Sequence, residues 1–218
     1  MKATECTEAD VKYKIVCHAQ SRSFPEDDAF YNGQTNSADI VVHLGGKYQL
    51  DAEKLAVLVE LDTECLGVHT GENNHNSPSN AVGFARFING QGLTNLIELV
   101  RQPATTENAL NAARTVFETQ GFKVAVCGDQ AGRIIDRLVR PKYNDALRFL
   151  DEGLASAEAM NMTCQLGLGY TQGPIEAVYK AGLARHYDVS QAIFSVTGRP
   201  GYAPARAAAV AKARENKR

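Results

Sequence analysis

The chain has 218 residues, 44% hydrophobic and 22% charged, enough to bury a core as one large domain or two small ones. A formal net charge of -2 argues against non-specific nucleic-acid binding as the main activity. The five cysteines, at positions 6, 17, 65, 127 and 164, form no CxxC pair, so neither a zinc site nor a disulfide framework is indicated and a reducing cytoplasm is the expected home.

The first residues, MKATECTEADVKYKIV, place acids where a signal peptide needs an apolar run, and no membrane-length apolar stretch follows. A soluble, membrane-free protein is expected. Tyr13 to Ala19 reads as a buried strand, followed by a polar, turn-rich region. Ile40 to Leu44 is a second β-branched run, closed by Gly45-Gly46. Asp51 is expected to cap a helix through about Leu61, and Cys65 to Val68 to form a third strand. Thr70 to Asn80 is a loop by composition, and Ala81 to Asn89 and Leu96 to Arg101 read as strands. Thr105 or Thr106 then caps a helix with Ala109, Ala113, Val116 and Phe117 on one face and Gly121 at its end. Phe122 to Cys127 is the last strand. Strands alternating with helices give an α/β layer over residues 1–128, and residues 129–218 read as all-α.

In the helical half, Ile134, Ile135, Leu138, Ala146, Leu147, Leu150 and Leu154 recur at near-helical spacing and predict one apolar face. Pro141 should kink or break that helix, because it lacks an amide donor and crowds the preceding turn. Ser156 suits the N-cap of a helix to Leu166, and Pro174 the first turn of one to Tyr187. Val189 to Thr197 and an alanine-rich basic tail from Ala205 follow.

The ordered landmarks Ala131-Gly132, Arg137-Leu138, Asn144-Asp145-Ala146, Glu152-Gly153-Leu154-Ala155-Ser156, Gly167-Leu168-Gly169 and Gly173-Pro174 resemble the C-terminal domain of the 3-hydroxyacyl-CoA dehydrogenases. With the segment upstream, the resemblance covers roughly residues 81–204. It implies a Rossmann-like layer before the helical domain, an NAD-dependent oxidation of acyl-CoA thioesters, and dimerisation through the helices. A Rossmann nucleotide site needs glycines after its first strand so that the backbone can approach the pyrophosphate. Here that strand runs into Gln20-Ser21-Arg22-Ser23, and no GxGxxG is present. The layer is therefore expected to be degenerate, although NAD stays open as a cofactor.

In the resembled family a strand ends His-Phe-Phe-Asn-Pro and a Leu-Val-Glu run follows, the histidine acting as general base and the glutamate orienting it. Laid on this chain without a gap, the run becomes Arg86-Phe87-Ile88-Asn89-Gly90 and then Leu96-Ile97-Glu98. Glu98 and Asn89 match, whereas Arg86 stands at the histidine position and stays protonated at any physiological pH. Asp136 stands where the helical domain usually has asparagine, and His69-Thr70-Gly71-Glu72 replaces the segment that lines the family's substrate site. The Arg86–Glu98 pair reads as a structural ion pair, or as a receiver for a carboxylate or phosphate. Arg133, Arg137 and Arg140 fall at one helical face, near Lys142, and read as a solvated face or as ligand-binding residues for coenzyme A phosphates. The expected function is an atypical or accessory relative of 3-hydroxyacyl-CoA dehydrogenase binding an acyl-CoA-like or small anionic ligand. An active enzyme with a relocated base, drawn from His69 or His75, and a structural dimerisation module are the alternatives.

Overall fold

The computed structural model describes residues 12–72, 77–89 and 92–217. Cys6, His75 and Gly90 lie outside the described residues. The chain divides into two compact units, Met1–Arg86 with Asn95–Gln130, and Phe87–Thr94 with Ala131–Arg218.

The first unit is built on a six-stranded sheet: β1 (Tyr13–Cys17), β2 (Ile40–Leu44), β3 (Ala56–Glu60), β4 (Ala81–Asn89), β5 (Gly92–Arg101) and β6 (Lys123–Gly128). The strands lie side by side in chain order. β1 to β4 run parallel, as do β5 and β6. The link from β4 to β5 is too short for a crossover, so these two strands form a hairpin and the direction reverses there.

The helix expected from Asp51 to Leu61 is replaced by β3. Its run Ala56-Val57-Leu58-Val59 is buried at every position, as suits a parallel strand covered on both faces, and such a run carries no period that separates strand from helix. Asp51 caps a turn instead, Oδ1 accepting from Glu53 N at 3.1 Å. Cys65 to Val68 is not a strand either; it leads into the short helix α1 (Gly67–Thr70), whose first amides are held by Asp129.

Of the two threonines offered as a cap, Thr106 accepts from Ala109 N at 3.2 Å and opens α2 (Glu107–Thr119). Thr105 is buried and ties the strand ends, donating to Ala81 O and accepting from Gln102 N. The predicted face of α2, with Ala109, Ala113, Val116 and Phe117, is buried. Phe117 packs with Phe24, Phe30, Phe84 and Phe122 in an aromatic cluster on one face of the sheet. A smaller cluster of Val59, Leu61, Leu66 and Val100 covers the other.

The second unit holds α3 (Ile135–Asp151), α4 (Ala157–Leu168), α5 (Pro174–Ala181), α6 (Leu183–Thr197) and α7 (Arg206–Glu215). Pro141 does not break α3. The carbonyl that its missing amide leaves open belongs to Arg137, and the Tyr202 hydroxyl donates to it at 3.1 Å. Ser156 caps α4 and Pro174 opens α5 as the sequence predicts. The break between α5 and α6 comes at Gly182, whose φ of 92° suits glycine, rather than near Asp188.

The apolar stripe of α3 is buried only in part. Ala146 and Leu147 face the helical core, but Leu138 is 71% and Leu154 69% exposed. The face turned inward instead carries Asp136, Arg140, Tyr143 and Asn144.

Candidate functional site

Strand pleat decides what β4 and β5 present. Val82 and Phe84 of β4, and Ile97 and Leu99 of β5, belong to the aromatic core. The intervening residues point the other way: a Cβ on Gly83 would meet Leu61 and Val100. Glu98, buried at 3% exposure, shares the face of Val100. Arg86 shares that of Phe84, with its guanidinium 4.9 Å above the Phe122 ring and 5.8 Å above Phe24. The sheet therefore does not bring Arg86 and Glu98 together as a pair. Ala85 is the residue of this stretch that turns to the Glu98 face, because a shift of one residue along a strand exchanges its faces. Asn89 ends β4 half-buried, in phase with Ala85.

Arg86 Nη1 donates to Asp28 Oδ2 at 2.8 Å and to Ser23 O at 3.1 Å, and its amide donates to Ser23 Oγ. The side chain ties the β1–β2 connection to the sheet, so the reading of Arg86 as a receiver for an external anion loses its footing.

The arginine stripe is likewise turned inward. Arg133 precedes α3 with φ of 47°, so it does not share a helix face with the other two. Arg140 is buried and donates twice to Asp136 Oδ1, from Nε at 2.8 Å and Nη2 at 2.6 Å, while Arg133 Nη2 lies 3.9 Å from Asp136 Oδ2. Arg137 Nε donates to Ala131 O at 2.9 Å. Lys142 sits over the Tyr143 and Tyr170 rings, and burial pushes its ammonium below the ordinary lysine range against a smaller opposing pull from Cys164.

The network continues to His186, which no sequence motif singled out. Asn144 Oδ1 accepts from Ala205 N at 3.1 Å and lies 2.9 Å from His186 Nε2. That nitrogen therefore carries the hydrogen, leaving Nδ1 to accept from Arg140 Nη1 at 3.2 Å. Burial, with the Arg140 charge behind it, pushes His186 down to about 3, so the ring is neutral. Asn161 was also missed: its Oδ1 accepts from Ile175 N and Glu176 N and so caps α5 from α4. Gly173 is required beside it, since a Cβ there would fall 2.3 Å from that oxygen.

At the ends of β1 to β3, Glu60 meets the loop that follows β1. Its Oε1 accepts from Ser21 Oγ at 2.8 Å, Arg22 N at 3.0 Å and Ser23 N at 2.7 Å, and its Oε2 from Gly45 N at 2.9 Å. Beyond β3, His69 Nε2 lies 3.0 Å from Glu64 Oε1, and Asp129 accepts from Leu66 N, Gly67 N and Gln102 Nε2.

Residues 132–218 match the family model described as the C-terminal domain of 3-hydroxyacyl-CoA dehydrogenase. The chain is 27% identical over 151 residues to the 3-hydroxybutyryl-CoA dehydrogenase of Bradyrhizobium diazoefficiens, covering 69% of this chain and 51% of that protein. Residues 132–218 thus carry the C-terminal domain of the 3-hydroxyacyl-CoA dehydrogenase family. The mitochondrial hydroxyacyl-coenzyme A dehydrogenase of Sus scrofa is 34% identical over 97 residues, 44% of this chain and 31% of that one. The solved (S)-3-hydroxybutyryl-CoA dehydrogenase of Ralstonia eutropha shares the fold with a TM-score of 0.68 at 18% identity, over 82% of this chain and 66% of that one. The chain spans about half or less of the length of these two curated relatives.

The nicotinamide dinucleotide that this 3-hydroxyacyl-CoA dehydrogenase family implies does not fit the residues described at the end of β1. Side chains stand where its pyrophosphate needs glycines, and the amides that would face it already bond Glu60. The described strands also follow chain order without the reversal that opens a nucleotide crevice in doubly wound sheets. No helix among the described residues is long and apolar enough to cross a membrane.

Proposed function

We propose that the chain is an atypical or accessory member of this family, which binds an acyl-CoA-like or small anionic ligand and does not carry out the family's NAD-dependent oxidation in the usual manner. The observation that carries the reading is the pleat of β4. Ala85, which turns to the Glu98 face, has no proton acceptor, and Arg86 is a permanent cation on the opposite face. In this reading residues 1–128 are a Rossmann-like scaffold and residues 129–218 the all-α domain through which two copies pair. The exposed Leu138 on α3 and Leu166 on α4 support pairing. A cavity of about 470 Å³ within the helical unit, walled by Phe149, Leu154, Met160 and Leu168 with Lys142 among its polar residues, supports an acyl-bearing anion.

The purified protein should show no nicotinamide absorbance change with 3-hydroxybutyryl-CoA and NAD, while its melting temperature rises with acyl-CoAs. Oxidation at an ordinary enzymatic rate would end this reading. A second one, an active dehydrogenase with a relocated base, draws on the His69–Glu64 contact, a histidine held by a carboxylate. It requires turnover that is lost in His69→Gln.

A further inference from the structure

Glu60 closes β3 at 3% exposure. A carboxylate withdrawn from water is costly unless its oxygens are well bonded. Here the donors shown for it are neutral: the consecutive amides of Arg22 and Ser23, the Ser21 hydroxyl and the Gly45 amide. Consecutive backbone amides converging on one oxygen make an anion-binding concavity. This one lies at the carboxyl ends of β1 and β2, where parallel sheets receive their ligands.

The concavity is sterically committed. Gly45 has φ of 79°, and a Cβ on it would lie 2.4 Å from Ala19 N, so only glycine brings this amide to Glu60 Oε2. Ser23 is buried and also accepts from Arg86 N, which fixes the loop from beneath. A cavity of about 210 Å³, lined by Gln20, Arg22, Gly45, Gly46, Glu60 and Asp62, opens onto the carboxylate. Arg22 pairs with Asp62 at that mouth.

We infer that Glu60 is a built-in anion: its carboxylate occupies a phosphate-type amide cradle after β1, and shortening it opens that cradle to inorganic phosphate or pyrophosphate. The device does not depend on whether the protein turns over an acyl-CoA. It explains how the loop keeps its shape with serine and arginine in place of glycines, since the ligand is supplied by the chain itself.

Three proteins test it: wild type, Glu60→Ser, which vacates the cradle, and Glu60→Gln, which fills it with a neutral isostere. In chloride, Glu60→Ser should melt about 5 °C below wild type. Phosphate at equal ionic strength should restore part of that loss, with the Arg22, Ser23 and Gly45 amide resonances moving in this variant alone. A folded Glu60→Ser protein that ignores phosphate and pyrophosphate overturns the inference, as do wild-type loop amides that shift with phosphate. Should Glu60→Ser not fold, hydrogen exchange decides: the Arg22, Ser23 and Gly45 amides should exchange slowly in wild type and faster in Glu60→Gln, and equal rates overturn the idea. The nicotinamide assay reads turnover and this titration reads one loop, so each can fail without the other.

Discussion

Glu60 in the sheet unit and Asp136 in the helical unit are both buried carboxylates, and each offsets the cost of burial differently. Glu60 draws on backbone amides and one hydroxyl, contributed by the loop after β1 and by Gly45. Asp136 draws on the Arg140 fork one turn along its own helix; that arginine reaches on to His186, which in turn bonds Asn144. An amide is offered by nearly every residue type, so the sheet unit's device leaves little trace in sequence. The helical unit's device needs particular side chains, a fork, a ring and a carboxamide, and it lies within residues 132–218, which the family model matches.

The contrast is sharpened most by Arg140→Met, which strips Asp136 of both short bonds and leaves a buried charge. The loss should be about 3–5 kcal/mol in urea unfolding, largely recovered when Asp136→Leu is added. A loss below about 1 kcal/mol would show that the helical unit does not rest on the network.

The next effect is pH dependence. His186 titrates at about 3 in the folded chain and near 6.5 when unfolded, so between these values the unfolded chain holds the extra proton. Stability is intact above about pH 6.5 and falls as pH drops toward 3, by about 2 kcal/mol at pH 5. His43, pushed down by burial and by the neighbouring His18, acts in the same direction in the sheet unit. Urea midpoints at pH 7.5 and pH 5 should converge in His186→Gln relative to wild type; an undiminished pH slope would remove His186 as the cause.

Glu60→Gln should cost less, about 1–2 kcal/mol, because one oxygen position becomes a donor facing amide donors. An equal or greater loss than Arg140→Met would reverse the comparison. Smallest is Ser156→Ala, which removes the side-chain cap of α4 at 3.2 Å from Ala159 N and should cost about 1 kcal/mol by thermal unfolding.

Elements with punctuation were legible in advance. Ile40 to Leu44 is bounded by Gly45-Gly46, α4 by Ser156, and α5 by Pro174, and each begins where it was expected, although α5 ends at Ala181 instead of Tyr187. Ala56 to Glu60 was misread because a continuous apolar run has no period. The site was less legible still. An ungapped alignment put Arg86 opposite the glutamate, whereas the pleat turns the two to different faces. Arg133, Arg137 and Arg140 read as one helical stripe in the sequence, but the helix begins after Arg133, and Arg140 faces the core because Asp136 and His186 receive it there.

By itself the sequence determined the division into an α/β half and a helical half, the family likeness of the helical half, and the presence of side chains where a nucleotide loop needs glycines. Those are properties of local pattern and residue type. Only the tertiary structure decided that Pro141 continues its helix, since the Tyr202 hydroxyl that takes the orphaned Arg137 carbonyl comes from 65 residues away. It alone decided that Glu60, 37 residues from Ser23, fills the loop after β1. Both depend on which distant group arrives at an open donor or acceptor, and packing rather than local pattern selects that group.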